Sequence, residues 1–185
     1  MKTEKLFIYA ICIAALAGFV DLSTNLLQGF GIITTEASLT FITFISWAAY
    51  FLLGANLKGA FSGILGIIVG ISAAILMFLL VGVFATNGLD VATVAIPLAV
   101  FVLVIIMLLF EKVPYFNNVA AIFLGTGMFF GLMGIPAVAA EGYLMVAVGE
   151  LLYASIGFAA GWFTIAIRIA VEKSGSKVTK VQEEH

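Results

Sequence analysis

The sequence predicts an all-α membrane protein built as a bundle of six transmembrane helices. Hydrophobic residues make up 64% of its 185 residues and charged residues only 10%, a composition unlike that of soluble domains. Apolar runs near the roughly 20 residues that cross a ~30 Å hydrocarbon core recur along nearly the whole chain. The third observation is that basic residues fall at every second break between these runs.

The six apolar segments are separated by short breaks rich in glycine, proline and asparagine. The first is interpreted as an uncleaved helix, because its apolar run continues beyond the length of a signal peptide. Short connections make consecutive helices antiparallel neighbours. Residues 1–173 are therefore expected to form one domain, followed by a flexible polar cytoplasmic tail over 174–185. The predicted spans are 6–28, 36–56, 58–85, 91–110, 116–135 and 142–168.

Charge placement predicts the orientation of the bundle. In a six-span arrangement one side carries Glu36, Asp90 and Glu141 and no lysine or arginine. The positive-inside rule then places the other side, and with it both termini, in the cytoplasm. That side holds all eight basic residues, which are Lys2, Lys5, Lys58, Lys112, Arg168, Lys173, Lys177 and Lys180.

A weak internal similarity raises the possibility of a repeat. Residues 48–52 (AAYFL) resemble residues 120–124 (AAIFL), and Gly59 matches Gly131 at the same offset. Helices 2 and 5 enter the membrane from opposite sides, so three helices plus three would form an inverted repeat, which is common in transport proteins. The alternative is chance similarity between common membrane residues.

Glycines on two predicted helices form small-residue faces. Their spacing of four, three and four residues keeps the glycines of helix 3 on one face, and small residues let helices in lipid pack closely. We predict packing seams that also favour a homo-oligomer; a glycine-lined pore is the alternative. The residues are Gly59, Gly63, Gly66 and Gly70 on helix 3 and Gly157 and Gly161 on helix 6.

Two carboxyl groups lie within predicted spans, where charge is costly and usually faces protein or water. Asp21 shares a face of helix 1 with Asn25, and Glu150 shares a face of helix 6 with Tyr153. A rise of 1.5 Å per residue places both acids about 10 to 12 Å from the outer ends of their helices. If these helices adjoin, the acids line an outward vestibule that attracts cations or hydrogen-bond donors. Alternatively, each acid is neutral or locally hydrogen-bonded and serves helix packing.

Two aromatic residues, Trp47 and Tyr50, share a face near the middle of helix 2. Their polar edges could form a constriction for small neutral molecules, with core packing as the alternative.

The sequence lacks the residues that metal binding, catalysis or nucleic-acid binding would require. Cys12 and His185 are the only cysteine and histidine, so no metal site built on such residues is expected. Motifs for nucleophilic catalysis or phosphate binding are missing, so no enzyme and no cofactor are predicted. Eight scattered basic residues do not predict nucleic-acid binding.

The chain resembles the YcdZ-like family of small bacterial inner-membrane proteins at residues 47–51 (WAAYF) and 57–59 (LKG). That family has a similar Ala-Tyr-Phe element followed by a Leu-Lys-Gly turn into a glycine-rich helix. The resemblance implies a bacterial inner-membrane location but no substrate, and Glu150 does not map onto a family motif. In size and span number the chain is also similar to proton-gated urea channels and short-chain amide transporters, which form rings of protomers, although the gating histidines are missing.

These observations favour a channel or facilitator for a small polar solute of urea, amide or amine size in the lipid bilayer. The alternatives are a non-transporting membrane scaffold or assembly partner and a proton-coupled small-solute transporter. The predicted pore or substrate-lining residues are Glu150, Asp21, Asn25, Trp47, Tyr50 and Tyr153.

Overall fold

The computed structural model describes residues 1–29 and 38–182, with side chains described as far as residue 174. All regular structure in this part of the chain is helical, as predicted. A π-helical turn, Val91–Ala95, leads directly into α4, and a 3-10 turn, Phe110–Lys112, follows it. The α-helices are α1 (Thr3–Gly29), α2 (Thr40–Leu52), α3 (Leu57–Thr86), α4 (Ile96–Leu109), α5 (Val119–Met133), α6 (Pro136–Ala139) and α7 (Tyr143–Gln182).

Four helical stretches among the described residues are long and apolar enough to cross a membrane. The helices α2 and α5 are equally apolar but contain only 13 and 15 residues, which corresponds to about 20 Å each. The prediction of six full-length spanning helices is therefore too high by two, since the helices at the second and fifth predicted spans are short. The four long stretches are Thr3–Gly29, Leu57–Thr86, Val91–Lys112 and Tyr143–Ser174.

Local backbone chemistry shortens the second helix relative to the predicted span 36–56. The helix ends at Leu52, and Gly54 and Ala55 then take positive φ values of 100° and 52°, which a helix cannot accommodate. Asn56 begins the next helix by accepting a hydrogen bond from the backbone N–H of Gly59 at 2.8 Å. Glu36, assigned to the outer side by sequence, lies outside the described residues.

Side-chain caps also determine where two later helical segments begin. Asn118 caps α5 through a hydrogen bond from the Ala121 backbone N–H at 3.2 Å, so this helix starts three residues later than predicted. Asp90 caps the π turn, and hydrogen bonds from the Thr93 hydroxyl and backbone lower the pKa of its carboxyl. The last helix continues to Gln182, so residues 174–182 of the predicted tail are helical. Flexibility of that tail stays a prediction.

Two parallel helix pairs form the centre of the bundle: α2 with α7, and α3 with α5. Gly157 lies against Thr43 and Trp47, and Gly161 lies against Tyr50, so residue numbers rise together along α2 and α7. In the second pair, Gly66 lies against Ala121 and Gly70 against Ile122 and Thr126. Helix α1 packs on α7, and α4 packs on α3.

This contact pattern has an internal symmetry. Let α1 correspond to α4, α2 to α5 and α3 to α7. The α2–α7 pair then corresponds to the α5–α3 pair, and the α1–α7 pair corresponds to the α4–α3 pair. The weaker pairs α1–α2 and α2–α3 correspond in the same way to α4–α5 and α5–α7. Apart from the four-residue α6, the described α-helices thus form two three-helix units with equivalent packing.

Hydrogen bonds between helices identify the two ends of the bundle. The Lys5 ammonium donates to the backbone carbonyl of Glu172 at 2.8 Å, so the start of α1 meets the late part of α7. Toward the opposite end, the Thr24 and Thr40 hydroxyls are 2.8 Å apart. The end that contains Lys5 is called the basic end. It holds the basic residues whose side chains are described: Lys2, Lys5, Lys58, Lys112, Arg168 and Lys173.

Candidate functional site

Glu150, on α7, has the most unusual environment among the side chains that the structure describes. Its exposed fraction is 0%, and neither carboxyl oxygen has a hydrogen-bond partner in the described part of the chain. Its helical neighbours Val146, Tyr153 and Ala154 belong to the main apolar core. The carboxyl group therefore lies on the face of α7 that packs into this core.

The elements around α7 contribute the rest of this apolar core. Ile42 comes from α2, Ile71 and Ala74 from α3, and Phe129 and Leu132 from α5. A buried polar group without a hydrogen bond costs about 1 to 3 kcal/mol, and a buried unpaired charge costs far more. Protonation removes the charge of such a carboxyl group but leaves its oxygens without hydrogen-bond partners, whereas a bound ligand that donates hydrogen bonds or positive charge satisfies them.

An aromatic cluster that the sequence reading missed lies two helical turns from Glu150. Tyr143 stacks on Phe78 with ring centroids 5.9 Å apart and approaches Phe129 at 6.4 Å. Phe130 meets Phe78 edge-on at 5.5 Å. The signal available in the sequence was the seven-residue spacing between Tyr143 and Glu150, which places both on one helix face. The partners on α3 and α5 had no such signal.

Tyr153, one turn after Glu150, is used for packing between helices. Its hydroxyl donates to the backbone carbonyl of Thr24 at 3.1 Å, and its own carbonyl accepts from the Thr43 hydroxyl at 3.1 Å. These two bonds tie α7 to α1 and α2. Tyr153 is thus a neighbour of Glu150 on the same face, with its polar groups already partnered.

Trp47 and Tyr50, the two residues of α2 predicted to line a pore, pack farther along α7 than Glu150. The Trp47 indole N–H donates to the Thr164 hydroxyl at 2.9 Å. Tyr50 is 1% exposed, lies against Gly161 and meets Phe158 edge-on at 6.5 Å. Both rings fill the interface between α2 and α7, as in the core-packing alternative, and they are not brought together with Glu150.

We expect the variant Thr164→Val to destabilise the protein by about 1 to 2 kcal/mol, because it leaves the buried Trp47 N–H without its acceptor while keeping the side-chain shape. Denaturant titration in detergent measures the loss. Thr86→Val, at the exposed end of α3, is the control and should change stability little. Equal stability of the two variants would show that the Trp47–Thr164 bond contributes nothing net.

Asp21 lies in a different environment from Glu150. It is exposed on the surface of α1, and its carboxylate accepts from the Asn25 side-chain amide at 3.3 Å. The adjacent buried positions on α1, Val20 and Thr24, face the bundle instead. The expected vestibule shared by the two acids is therefore not formed in this structure, because Asp21 points away from the buried core.

The six glycines assigned to packing seams all lie where a neighbouring group occupies the place of a Cβ atom. A Cβ on Gly63 would come within 2.7 Å of Leu53 and Phe158, and one on Gly66 within 2.6 Å of the Ala121 Cβ. A Cβ on Gly59 would overlap the carbonyl of Leu53. These positions, with Gly70, Gly157 and Gly161, allow close contact between helices of the same chain.

The cavity between α3, α4 and α5 has a mostly apolar lining. It has a volume of about 240 Å³ and includes Met77, Leu103, Met107 and Phe130 in its lining. Glu150 is not part of that lining. The candidate site therefore consists of the buried carboxyl group of Glu150 and the aromatic cluster of Phe78, Phe129, Phe130 and Tyr143.

Comparison with known proteins gives a family but no activity. The sequence profile of a family described as "Protein of unknown function (DUF1097)" matches residues 10–167. No curated protein and no solved structure matches the chain. The match agrees with the expectation of an uncharacterised family, and the finer resemblances to YcdZ-like proteins, urea channels and amide transporters stay predictions.

Proposed function

We propose that this chain, which belongs to the DUF1097 family of proteins of unknown function, is a membrane channel or facilitator that passes a small polar solute by way of Glu150. The observation that carries the proposal is the burial of this carboxyl group without a partner among the described residues. Ionisable residues inside membrane proteins are rare and commonly mark the path of a substrate or ion.

The packing supports a path that opens by relative movement of the two three-helix units. Glu150 is fully enclosed, so a solute reaches it only after helices separate. In an inverted repeat, two equivalent halves can rock about a central site and expose it to each side in turn. Units α1–α2–α3 and α4–α5–α7 have equivalent contacts, and Glu150 lies on α7, the helix of the second unit that packs against all three helices of the first.

We propose a six-segment topology in the bacterial inner membrane. Helices α2 and α5 are short, but each is packed against a long helix and occupies the equivalent place in its unit. With six segments the basic end faces the cytoplasm by the positive-inside rule, and both termini lie there. The exposed Asp21–Asn25 pair favours a homo-oligomer, because polar groups on a lipid-facing helix surface gain hydrogen bonds from another subunit.

The test is solute flux into proteoliposomes, measured with urea, acetamide and methylammonium. We expect wild-type protein to accelerate at least one of these fluxes and Glu150→Gln to reduce it by at least about tenfold, which corresponds to about 1.4 kcal/mol. The control is Glu172→Gln, a change of an exposed acid on the same helix. It should leave flux unchanged.

A non-transporting scaffold is the second candidate, favoured by the glycine contacts that hold α3 to α5 and α7 to α2. A scaffold gives no flux for any of the three solutes although the protein is folded and inserted. Flux that is equal in wild type and Glu150→Gln would remove Glu150 from the path. Flux that requires a pH gradient would support proton coupling.

A further inference from the structure

We infer that the solute of this site is a small organic cation that carries an apolar or aromatic group and exchanges with a proton at Glu150. The aromatic cluster of Phe78, Phe129, Phe130 and Tyr143 would receive the cation before it reaches the carboxylate. The inference rests on the proposed passage of a solute by way of Glu150 and selects its proton-coupled form, because it assigns the chemical class of the solute and the exchanged ion.

The aromatic cluster extends from the surface of the bundle into its core. Tyr143, at the start of α7, is half-buried, as are Phe78 and Phe130, whereas Phe129 is fully buried. Neighbouring ring centroids are 5.5 to 6.4 Å apart and include both stacked and edge-on pairs. The cluster therefore offers ring faces and edges in several directions within a small volume.

The cluster lies between Glu150 and the end of the bundle opposite the basic end. Seven residues separate Tyr143 from Glu150, a distance of about 10 Å along α7. Helical side chains tilt toward the helix N-terminus, so the Glu150 carboxyl group is displaced toward the level of Tyr143. A solute that enters from this end meets the rings first and the carboxyl group second.

Both components of the site attract positive charge. The faces of aromatic rings carry negative potential and bind ammonium groups within about 6 Å of the ring centroid. A carboxylate in an apolar core has a strong requirement for a cation. A neutral amide would satisfy the hydrogen bonding of Glu150 but would gain no cation–π attraction from the four rings.

The described part of the protein supplies no cation of its own to Glu150. All lysine and arginine side chains that are described lie at the basic end, and Arg168 there pairs with Glu172 at 3.2 Å. The titratable residues on the elements packed against Glu150, or beside it on α7, carry no positive charge away from that end. They are Tyr9, Cys12 and Asp21 on α1, Tyr50 on α2, Glu141 after α6, and Tyr143 and Tyr153 on α7.

A proton and an organic cation therefore compete for one carboxyl group. Binding of the cation R–NH₃⁺ to the protonated acid forms the ion pair between R–NH₃⁺ and the Glu150 carboxylate and releases one proton to water. Charge is balanced, because one positive ion enters the site as another leaves. Release of the cation on the other side of the membrane allows the carboxylate to take up a proton there.

The experiment measures binding and proton release together, using purified full-length protein in detergent. Benzylammonium is the probe, benzyl alcohol is its neutral counterpart, and a pH-sensitive dye in weak buffer reports protons. We expect benzylammonium to bind and to release protons in proportion to the cation bound, and benzyl alcohol to do neither. Its apparent affinity should increase about tenfold per pH unit while the free site is protonated. Glu150→Gln should abolish both signals.

Aromatic variants test the second component. Phe129→Leu and Phe78→Leu should weaken benzylammonium binding about threefold to thirtyfold, the range expected for cation–π contacts. Phe123→Leu is the matched control, since Phe123 is an exposed ring on α5 outside the cluster, and it should leave the affinity unchanged. A similar loss in all three variants would contradict a specific role for the cluster.

The outcomes separate this inference from the proposed function. Flux of urea or acetamide that depends on Glu150, without benzylammonium binding, overturns the cation assignment and leaves the proposed function intact. Benzylammonium binding with proton release, but without flux of any solute, supports the site and overturns transport. Binding without proton release, or binding retained in Glu150→Gln, overturns the exchange. If that variant fails to fold, the pH dependence of wild-type binding still decides.

Discussion

Replacing Gly70 by alanine is expected to destabilise the protein by about 3 kcal/mol or more, enough to prevent folding of a marginally stable chain. Among the glycines of α3, Gly70 makes the tightest contact with α5. A Cβ atom there would overlap the backbone carbonyl of Ile122 and lie 2.7 Å from the backbone nitrogen of Thr126. Backbone atoms of a helix cannot move aside as a flexible side chain can, so the two helices must separate.

The size of the effect follows from two losses. Forcing extra atoms into a packed core costs about 1 to 3 kcal/mol, and occasionally more. The second loss is that of close packing between α3 and α5, because the Thr126 hydroxyl, 3.1 Å from the Gly70 carbonyl, keeps the Ile122 carbonyl of its own helix as an acceptor at 2.9 Å. Because lipid tails are as apolar as the helices, close packing contributes much of the association, and no hydrophobic effect compensates for a widened interface.

Gly82 provides the matched control on the same helix. A Cβ at Gly82 would have no neighbour within 4 Å, so Gly82→Ala should not destabilise the protein and should raise its stability by up to about 1 kcal/mol. Thermal or denaturant unfolding in one detergent compares the two variants directly. If Gly70→Ala and Gly82→Ala are equally stable, α3 and α5 do not pack as closely as the structure has them.

The same measurement at Gly157 tests the internal symmetry. A Cβ there would overlap the carbonyl of Thr43 on α2, so Gly157 has the role on α7 that Gly70 has on α3. We expect Gly157→Ala to lose about as much stability as Gly70→Ala. A small loss at Gly157 beside a large one at Gly70 would mean that the two helix pairs are not energetically equivalent.

Much of the helical fold was predictable because its signals are local. The length of the apolar runs predicted that the helices exist. The spacing of the glycines predicted which face of α3 packs against α5. The ends of α2 were less accessible, since only the positive φ of Gly54 and Ala55 stops the helix before Asn56. Composition alone cannot separate a helix that crosses 30 Å from a shorter one with equally apolar flanks.

The register of the repeat was also hidden in the sequence. Sequence similarity pairs Ala48 with Ala120, 72 positions apart. Contacts to the equivalent glycines pair Thr43 with Ile122 and Trp47 with Thr126, 79 positions apart. The two alignments differ by about two helical turns, so the residues that look alike are not those with equivalent contacts. Packing between distant helices determines this register.

The candidate site was predictable in part. Glu150 was identified because a carboxyl group inside an apolar segment is unusual. Asp21 gave the same signal, and sequence could not tell that one acid is buried and the other exposed. In water an apolar stripe marks the buried face of a helix, but in lipid both faces are apolar and this guide is lost. The aromatic cluster joins α3, α5 and α7, and such long-range contacts leave no pattern within one segment.

Replacing Glu150 by methionine is expected to raise stability by about 1 to 3 kcal/mol while abolishing transport. An unsatisfied buried polar group costs about that much, and methionine fills a similar volume without a polar atom. Tyr153→Phe is the contrasting change one turn away: it removes the buried hydroxyl bond to Thr24 and should lower stability by about 1 kcal/mol. Denaturant unfolding of wild type and the two variants in one detergent gives the sign of each stability change, and proteoliposome flux measures transport.

A Glu150→Met protein that is less stable than wild type would show that the carboxyl group holds the bundle together, and Glu150 would then no longer support transport. A more stable, inactive protein would mean that this chain carries a destabilising acid that its function requires, as expected for a binding site.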